Sequence, residues 1–428
     1  MTALIIFSLL ALLLLTGMPI SIALGMTVLV FLFTLTRVPI EAVAMKLFTG
    51  IEKFEIMAIP FFILAGNFLT HGGVARRLIR FATALVGHLH GGLGIASVLA
   101  CALFAAISGS SPATVAAIGT IMIPAMLRAG FPWQFGAGTV STAGALGILI
   151  PPSIVLVMYA VSTNTSVGVL FMAGIIPGIV LALLLAFTTW REAKKHNYPR
   201  QPRATRREIW VAFRQCIWGL LLIFLVLGGI YSGMFTPTEA AAVSAVYSFV
   251  VAVYIYRDLP IRGVPRVLLA SANMSAMLLY IITNAMLFSF LLAHENIPQQ
   301  MATWMLQQGL NAVSFLLIVN LILLLAGDFM EPSSIVLIMA PILFPIAVKL
   351  GIDPVHFGIL ITVNMEVGMV TPPVGLNLYV MSGLVERGLT DVTMAAIPWM
   401  VTMLIFLVVV TYWPALSLWL PRLLGMMP

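Results

Sequence analysis

The sequence predicts an all-α polytopic membrane protein built as an inverted repeat, with two re-entrant hairpins and two broken helices. Three observations predict it: long stretches without charge, apolar runs of helical length, and one Gly/Pro pattern that occurs twice. Apolar residues fill 61% of the 428 positions and charged residues 8%, against roughly 25% charged in soluble domains. No charge of either sign stands between Arg128 and Arg191, a stretch far longer than the roughly 20 residues that one span needs. Helices rather than barrel strands follow, because the apolar runs are long and do not alternate every second residue.

The net charge of +7 is unevenly spread. Arg191, Lys194, Lys195, Arg200, Arg203, Arg206 and Arg207 form one basic segment, and Arg257, Arg262 and Arg266 a second. Between apolar runs such clusters mark loops retained in the cytoplasm. Membrane lipid is therefore the expected surrounding, and no nucleic-acid partner is expected. Cys101 and Cys216 fall in or beside apolar segments and read as small core residues. The run from Ala3 to Leu15 lacks a basic flank and a cleavage site, and reads as a retained helix.

Apolar segments cover 4–35, 56–70, 81–107, 112–127, 133–162, 167–190, 210–231, 238–256, 267–293, 312–327, 335–349, 355–385 and 392–420. Gly17-Met18-Pro19 interrupts the first, which is either one broken helix or two short ones. Segments 37–55 and 71–80 mix charge with apolar residues and suit interfacial helices. Two pairs are too short to span separately. The run at 92–107 joins 112–127 through Ser108-Gly109-Ser110-Ser111-Pro112-Ala113-Thr114. The run at 312–327 joins 335–349 through Asp328-Phe329-Met330-Glu331-Pro332-Ser333-Ser334. Each pair reads as a re-entrant hairpin. Segments 133–162 and 355–385 are long enough to cross, but each has Pro-Pro in its middle.

Those Pro-Pro pairs expose the repeat. Gly147-Ile148-Leu149-Ile150-Pro151-Pro152 matches Gly368-Met369-Val370-Thr371-Pro372-Pro373 at a shift of 221. The same shift carries Pro124 to Pro345, Gly130 to Gly351 and Pro177 to Pro398. Loop charge makes the first hairpin open to the cytoplasm and the second outward, so the halves are inverted, as in many secondary transporters. The expected parts are 1–80 (scaffold helices and interfacial arm), 81–190 (first transport repeat), 191–311 (basic loop, scaffold helices and second arm) and 312–428 (second, inverted repeat).

A helix broken at mid-membrane leaves main-chain groups without intrahelical partners, so each break must face protein or a wet cavity. Bare helix N-termini favour anions, and unwound carbonyls favour cations. Hydroxyls at the tips come from Ser108, Ser110, Ser111, Thr114, Ser333 and Ser334; the breaks add Gly144, Gly147, Gly368, Ser153, Thr371 and Asn377. Neutral oxygens in this number suit Na⁺, whereas Ca²⁺ usually takes several carboxylates. Among intramembrane acids, Asp328, Glu331 and Glu366 each suit a cation or proton site. For Glu331, bonding to the backbone N–H groups freed at the tip is an equal alternative. Glu239 follows Thr236-Pro237-Thr238 and belongs in the first turn of a helix. No GxxxxGK[ST], GxSxG or HExxH stretch occurs, so neither direct ATP use nor hydrolytic enzyme chemistry is expected.

Ser108–Gly119 (SGSSPATVAAIG), Glu331–Gly358 (EPSSIVLIMAPILFPIAVKLGIDPVHFG) and Asn364–Tyr379 (NMEVGMVTPPVGLNLY) make the chain resemble the large membrane subunit of tripartite ATP-independent periplasmic (TRAP) transporters, over nearly its whole length. The C4-dicarboxylate branch is most similar, and the sialic-acid branch shares much of these stretches. Asp328 departs from the uncharged residue, often Asn, of related sequences. The resemblance implies an elevator-type carrier of the ion-transporter superfamily in a bacterial inner membrane. It also implies a small four-helix membrane subunit and a periplasmic binding protein that delivers a small organic acid. The implied coupling ion is Na⁺, at a first site of Ser108, Ser110, Gly144, Gly147 and Ile150 and a second of Gly327, Gly368, Thr371 and Val374. Substrate is expected between them, with Ser111, Thr114, Pro152, Ser153, Ser333, Ser334, Pro373 and Asn377 as candidates. A stand-alone sodium- or proton-coupled carrier of the same superfamily is the alternative.

Overall fold

The computed structural model describes residues 2–36, 39–309, 311–328 and 330–427. Arg37 and Val38 of the first amphipathic segment, Leu310, and Phe329 of the second tip lie outside the described residues. All regular secondary structure among the described residues is helical. Its first part comprises α1 (Thr2–Leu15), α2 (Ile20–Leu35), α3 (Ile40–Thr49), α4 (Ala58–His71) and α5 (Val74–Val86). The next comprises α6 (Gly92–Ser108), α7 (Ser111–Arg128), α8 (Trp133–Ala143), α9 (Ile154–Thr163) and α10 (Val167–Lys195). Then come α11 (Arg206–Tyr231), α12 (Pro237–Val250), α13 (Val264–His294) and α14 (Ile297–Gln307). The last part comprises α15 (Ala312–Gly327), α16 (Pro332–Lys349), α17 (Pro354–Gly368), α18 (Leu376–Val385), α19 (Leu389–Tyr412) and α20 (Ala415–Leu423). Among the described residues, eight helical stretches are long and apolar enough to cross a membrane.

The N-terminal segment is two helices, parted at Gly17 (φ +79°) and Pro19. Two predicted runs divide. The run at 81–107 breaks between α5 and α6, because Gly91 takes φ +66° and lies where a Cβ would meet the Ala193 side chain at 2.3 Å. The run at 392–420 breaks at Trp413-Pro414, where the missing proline N–H ends α19. The amphipathic stretch at 71–80 extends to Val86 as α5, which buries Val74, Ala75, Leu78, Ile79 and Ala82. Glu239 closes a capping box with Thr236 at the start of α12, two donors satisfied reciprocally at one helix end.

These parts of the chain are interleaved. The α2 helix packs along α13, and α12 along α4. Beyond the breaks, α9 lies against α16, α18 against α7, and α19 against α8. Each hairpin is thus buttressed by the half-helix of the other repeat. The joints carry large buried side chains: the Tyr159 hydroxyl of α9 donates to Pro354 O at 2.7 Å, and its ring stands edge-on to Phe344 of α16. Cys101 and Cys216 are buried free thiols.

Candidate functional site

The first tip is made by a glycine and two extended or capping residues. The α6 helix stops at Ser108, Gly109 turns the chain with φ +60°, and Ser110 (φ −138°, ψ 127°) leads into α7. Thr114 Oγ1 donates to Ser110 O at 2.8 Å and stands 2.9 Å from Ser108 Oγ. The Ser110 side chain makes no capping bond to α7. In the first break a tight 3-10 turn spans Gly144–Ile148, followed by Pro151-Pro152 with a cis bond between them.

Tip and break touch through main chain. A Cβ on Gly147 would stand 2.6 Å from Ser110 O and 2.8 Å from Ser111 N. A Cβ on Gly109 would stand 2.9 Å from Pro152 O. Gly144 faces Val115 of α7. The structure therefore brings Ser108, Ser110, Gly144 and Gly147 together, whereas Ile150 is seen against Gly178 of α10. Ser153 is engaged as the cap of α9, its hydroxyl bonded to Ile148 O and receiving Leu156 N.

The second tip repeats this geometry. Gly327 ends α15 and Gly368 ends α17, and a Cβ on Gly368 would lie 2.8 Å from Gly327 Cα. Val374 N donates to Asp328 O at 3.2 Å, which ties the second break to the tip. Thr371 Oγ1 donates to Val367 O at 2.7 Å, and Pro372-Pro373 also has a cis bond. So Gly327, Gly368, Thr371 and Val374 fall in one neighbourhood. The breaks differ in exposure, however: Pro151 and Pro152 are buried, while Pro372 and Pro373 are exposed.

At the start of α16 the Glu331 carboxylate accepts from Ser333 Oγ at 2.6 Å and from Ser334 N at 3.3 Å. A bond to a backbone N–H at the helix start, one of the two readings of Glu331, is thus present. Glu366 is fully buried on α17, and neither of its carboxylate oxygens meets a partner among the described residues; Asp328 Oδ1 is likewise buried and unpartnered.

A polar joint crosses the repeats. Asn377 of α18, wholly buried, donates through Nδ2 to Ser111 Oγ at 2.8 Å and to Ser141 O at 3.0 Å. Between the tips lies a cavity of about 240 Å³, lined by Gly109, Ser110, Ser111, Glu331, Ser333 and Met369 among others. Its volume falls below the ≈ 300–1,000 Å³ of drug-sized sites, which suits a small solute. Ser110, Ser111 and Ser333 line it; Thr114, Pro152, Ser153, Ser334, Pro373 and Asn377 stand behind or away from the wall. Met274, Met277 and Leu278 of α13 complete it. Nothing in the sequence singles these three out, because an apolar residue on a spanning helix reads alike whether it faces lipid or a cavity.

A profile of the family described as "Tripartite ATP-independent periplasmic transporter, DctM component" matches residues 7–416. The chain is 69% identical to the C4-dicarboxylate TRAP transporter large permease protein DctM of Rhodobacter capsulatus, over 100% of both chains. It is 36% identical to the sialic acid TRAP transporter large permease protein SiaM of Vibrio cholerae, over 96% of both. The crystal structure of the Alcanivorax borkumensis YdaH transporter superposes with a TM-score of 0.62 at 17% identity, covering 90% of this chain and 88% of that one; that likeness is one of fold.

Proposed function

The chain belongs to the large permease (DctM) component of the tripartite ATP-independent periplasmic transporters, and from that premise we propose that it imports a C4-dicarboxylate in symport with Na⁺. It is a multi-pass membrane protein and a transporter subunit rather than an enzyme. The proposed setting is a bacterial inner membrane, where a small four-helix membrane subunit supports the chain and a periplasmic binding protein supplies the substrate. The far greater identity to a C4-dicarboxylate permease than to a sialic-acid permease supports the substrate class.

One observation supports the mechanism most: each hairpin tip is pressed onto the break of its own repeat through glycine main chain, and both tips border one small cavity. Main-chain and hydroxyl oxygens beside a glycine seam make a site for a weakly held monovalent ion. In this reading Na⁺ sits at Ser108, Ser110, Gly144 and Gly147, with Ile150 as an outlying member, and at Gly327, Gly368, Thr371 and Val374. Two cations beside a dianion cancel its charge. That matters at mid-membrane, because Coulomb energies between unit charges at 4 Å rise from about 1 kcal/mol in water to about 4 kcal/mol at an effective dielectric of 20. The two repeats, 81–190 and 312–428, then move as a carrier domain against the helices of 1–80 and 191–311, in an elevator motion.

The test is uptake of a labelled C4-dicarboxylate into proteoliposomes holding this chain and its small subunit. Uptake is expected only with an inward Na⁺ gradient and added binding protein. Uptake without either component assigns the chain to a stand-alone carrier instead. Within the first site, Ser110→Ala is expected to raise the Na⁺ concentration for half-maximal uptake by about three- to tenfold, the loss of one hydrogen-bond-strength oxygen contact. An unchanged Na⁺ response leaves Ser110 as a packing residue.

A further inference from the structure

Ser110 and Glu331 hold the same place in the two tips, each standing immediately before the second helix of its hairpin. Both residues are extended and precede a helix of 18 residues with proline in its first turn. Their side chains behave differently. Ser110 leaves the start of α7 without a side-chain cap. The Glu331 carboxylate lies across the start of α16, taking Ser333 Oγ on one oxygen and Ser334 N and Oγ on the other, the last at 3.4 Å. Both residues line the same 240 Å³ cavity, and no Lys, Arg or His is among its lining residues.

A cavity that receives an organic acid between two helix N-termini has two seats for carboxylate groups, since bare N–H groups and the helix dipole favour an anion at each. Here the seat at α7 carries no side-chain cap, whereas the seat at α16 holds a carboxylate of the protein itself. We propose that Glu331 is a resident, displaceable anion: it occupies the second seat in the empty carrier and swings out when the distal carboxylate of a substrate takes its place. The inference rests on the substrate class proposed above and adds the residue that sets its preference for two carboxylates over one. Room for the swing exists, because Glu331 is only half-buried and borders the cavity. An internal competitor lowers apparent affinity by the fraction of time the seat is open. It does so only for a ligand that needs that seat.

The experiment uses the purified complex of this chain with its small membrane subunit, in saturating NaCl, titrated calorimetrically with succinate and with butyrate. These acids share a four-carbon chain and differ by one carboxylate. Glu331→Gln is expected to lower the Kd for succinate about tenfold while leaving that for butyrate within about twofold. Glu331→Asp, which keeps the charge and is a good cap, is expected to stay near the wild-type values. Equal tightening for both acids overturns the proposal, since simple charge repulsion does not distinguish the seats. Unchanged or weaker succinate binding also overturns it. Should Glu331→Gln not yield a monodisperse complex, Glu331→Ser, which installs the residue of the first tip, carries the same expectations. A wild-type complex that binds neither acid removes the substrate reading, and this inference with it; wild-type succinate binding without the Glu331 effect removes the inference alone.

Discussion

Gly368→Val is expected to abolish transport while leaving the protein inserted in the membrane. A Cβ at this position meets Gly327 Cα at 2.8 Å, Gly327 C at 3.1 Å and Gly327 O at 3.3 Å. All three are main-chain atoms at the end of α15, so no side chain can turn aside. The branched Val side chain adds two more carbons and forces α15 and α17 apart. Overpacking of this kind costs typically 1–3 kcal/mol, which a polytopic protein with its large apolar core can absorb. Function is less tolerant, because the seam is where the second Na⁺ is proposed to lie. A displacement of about 1 Å in a positioned site costs on the order of 100-fold in rate. The measurement is initial uptake in proteoliposomes, normalised to the reconstituted chain. Gly383→Ala serves as the control, since nothing lies within 4 Å of a Cβ there; it is expected to transport as wild type. Near-normal uptake by Gly368→Val removes the second sodium site as assigned.

The tips and breaks were legible because interrupting an apolar helix demands particular residues. Gly109 at φ +60°, the Gly147 and Gly368 close approaches and the paired prolines cannot be replaced by ordinary apolar residues without a clash or a continued helix. The recurrence of Gly147 and Pro151-Pro152 as Gly368 and Pro372-Pro373 at one shift makes the repeat itself legible. The interleaving was not legible. Whether α9 packs on its own hairpin or on α16 depends on tertiary pairing, and both faces of such helices are apolar. The turn at Gly87–Gly91 was hidden for a related reason: its flanks are as apolar as the helices, and only the approach to Ala193 shows why the chain must bend. Hydroxyls at the tips were visible as a set, yet which of them face the cavity was not. Ser111 lines the wall and also bonds back to Asn377, while Thr114, one turn later, is spent on Ser108 and Ser110 O.

Asn377 carries the second large expected effect. Its amide joins three elements: α18, on which it sits, α7 through Ser111 Oγ, and α8 through Ser141 O. The Nδ2 group donates to both partners, the Ser141 carbonyl and the Ser111 hydroxyl, and that hydroxyl also lies 3.0 Å from Asn377 Oδ1. Asn377→Asp changes shape hardly at all but turns the donor toward Ser141 O into a second acceptor. It also places a charge at a position with no exposed surface. An uncompensated buried charge costs about 3–5 kcal/mol, enough to part α18 from α7 and open the wall behind Ser111. Uptake by Asn377→Asp is therefore expected to fall below detection, with a lowered melting temperature of the purified complex. Asn377→Ser, which keeps a small neutral donor and leaves only a void, is expected to retain partial uptake. The ordering separates charge from volume: if Asp transports as well as Ser, the joint between the repeats is held by packing rather than by this hydrogen-bonded amide.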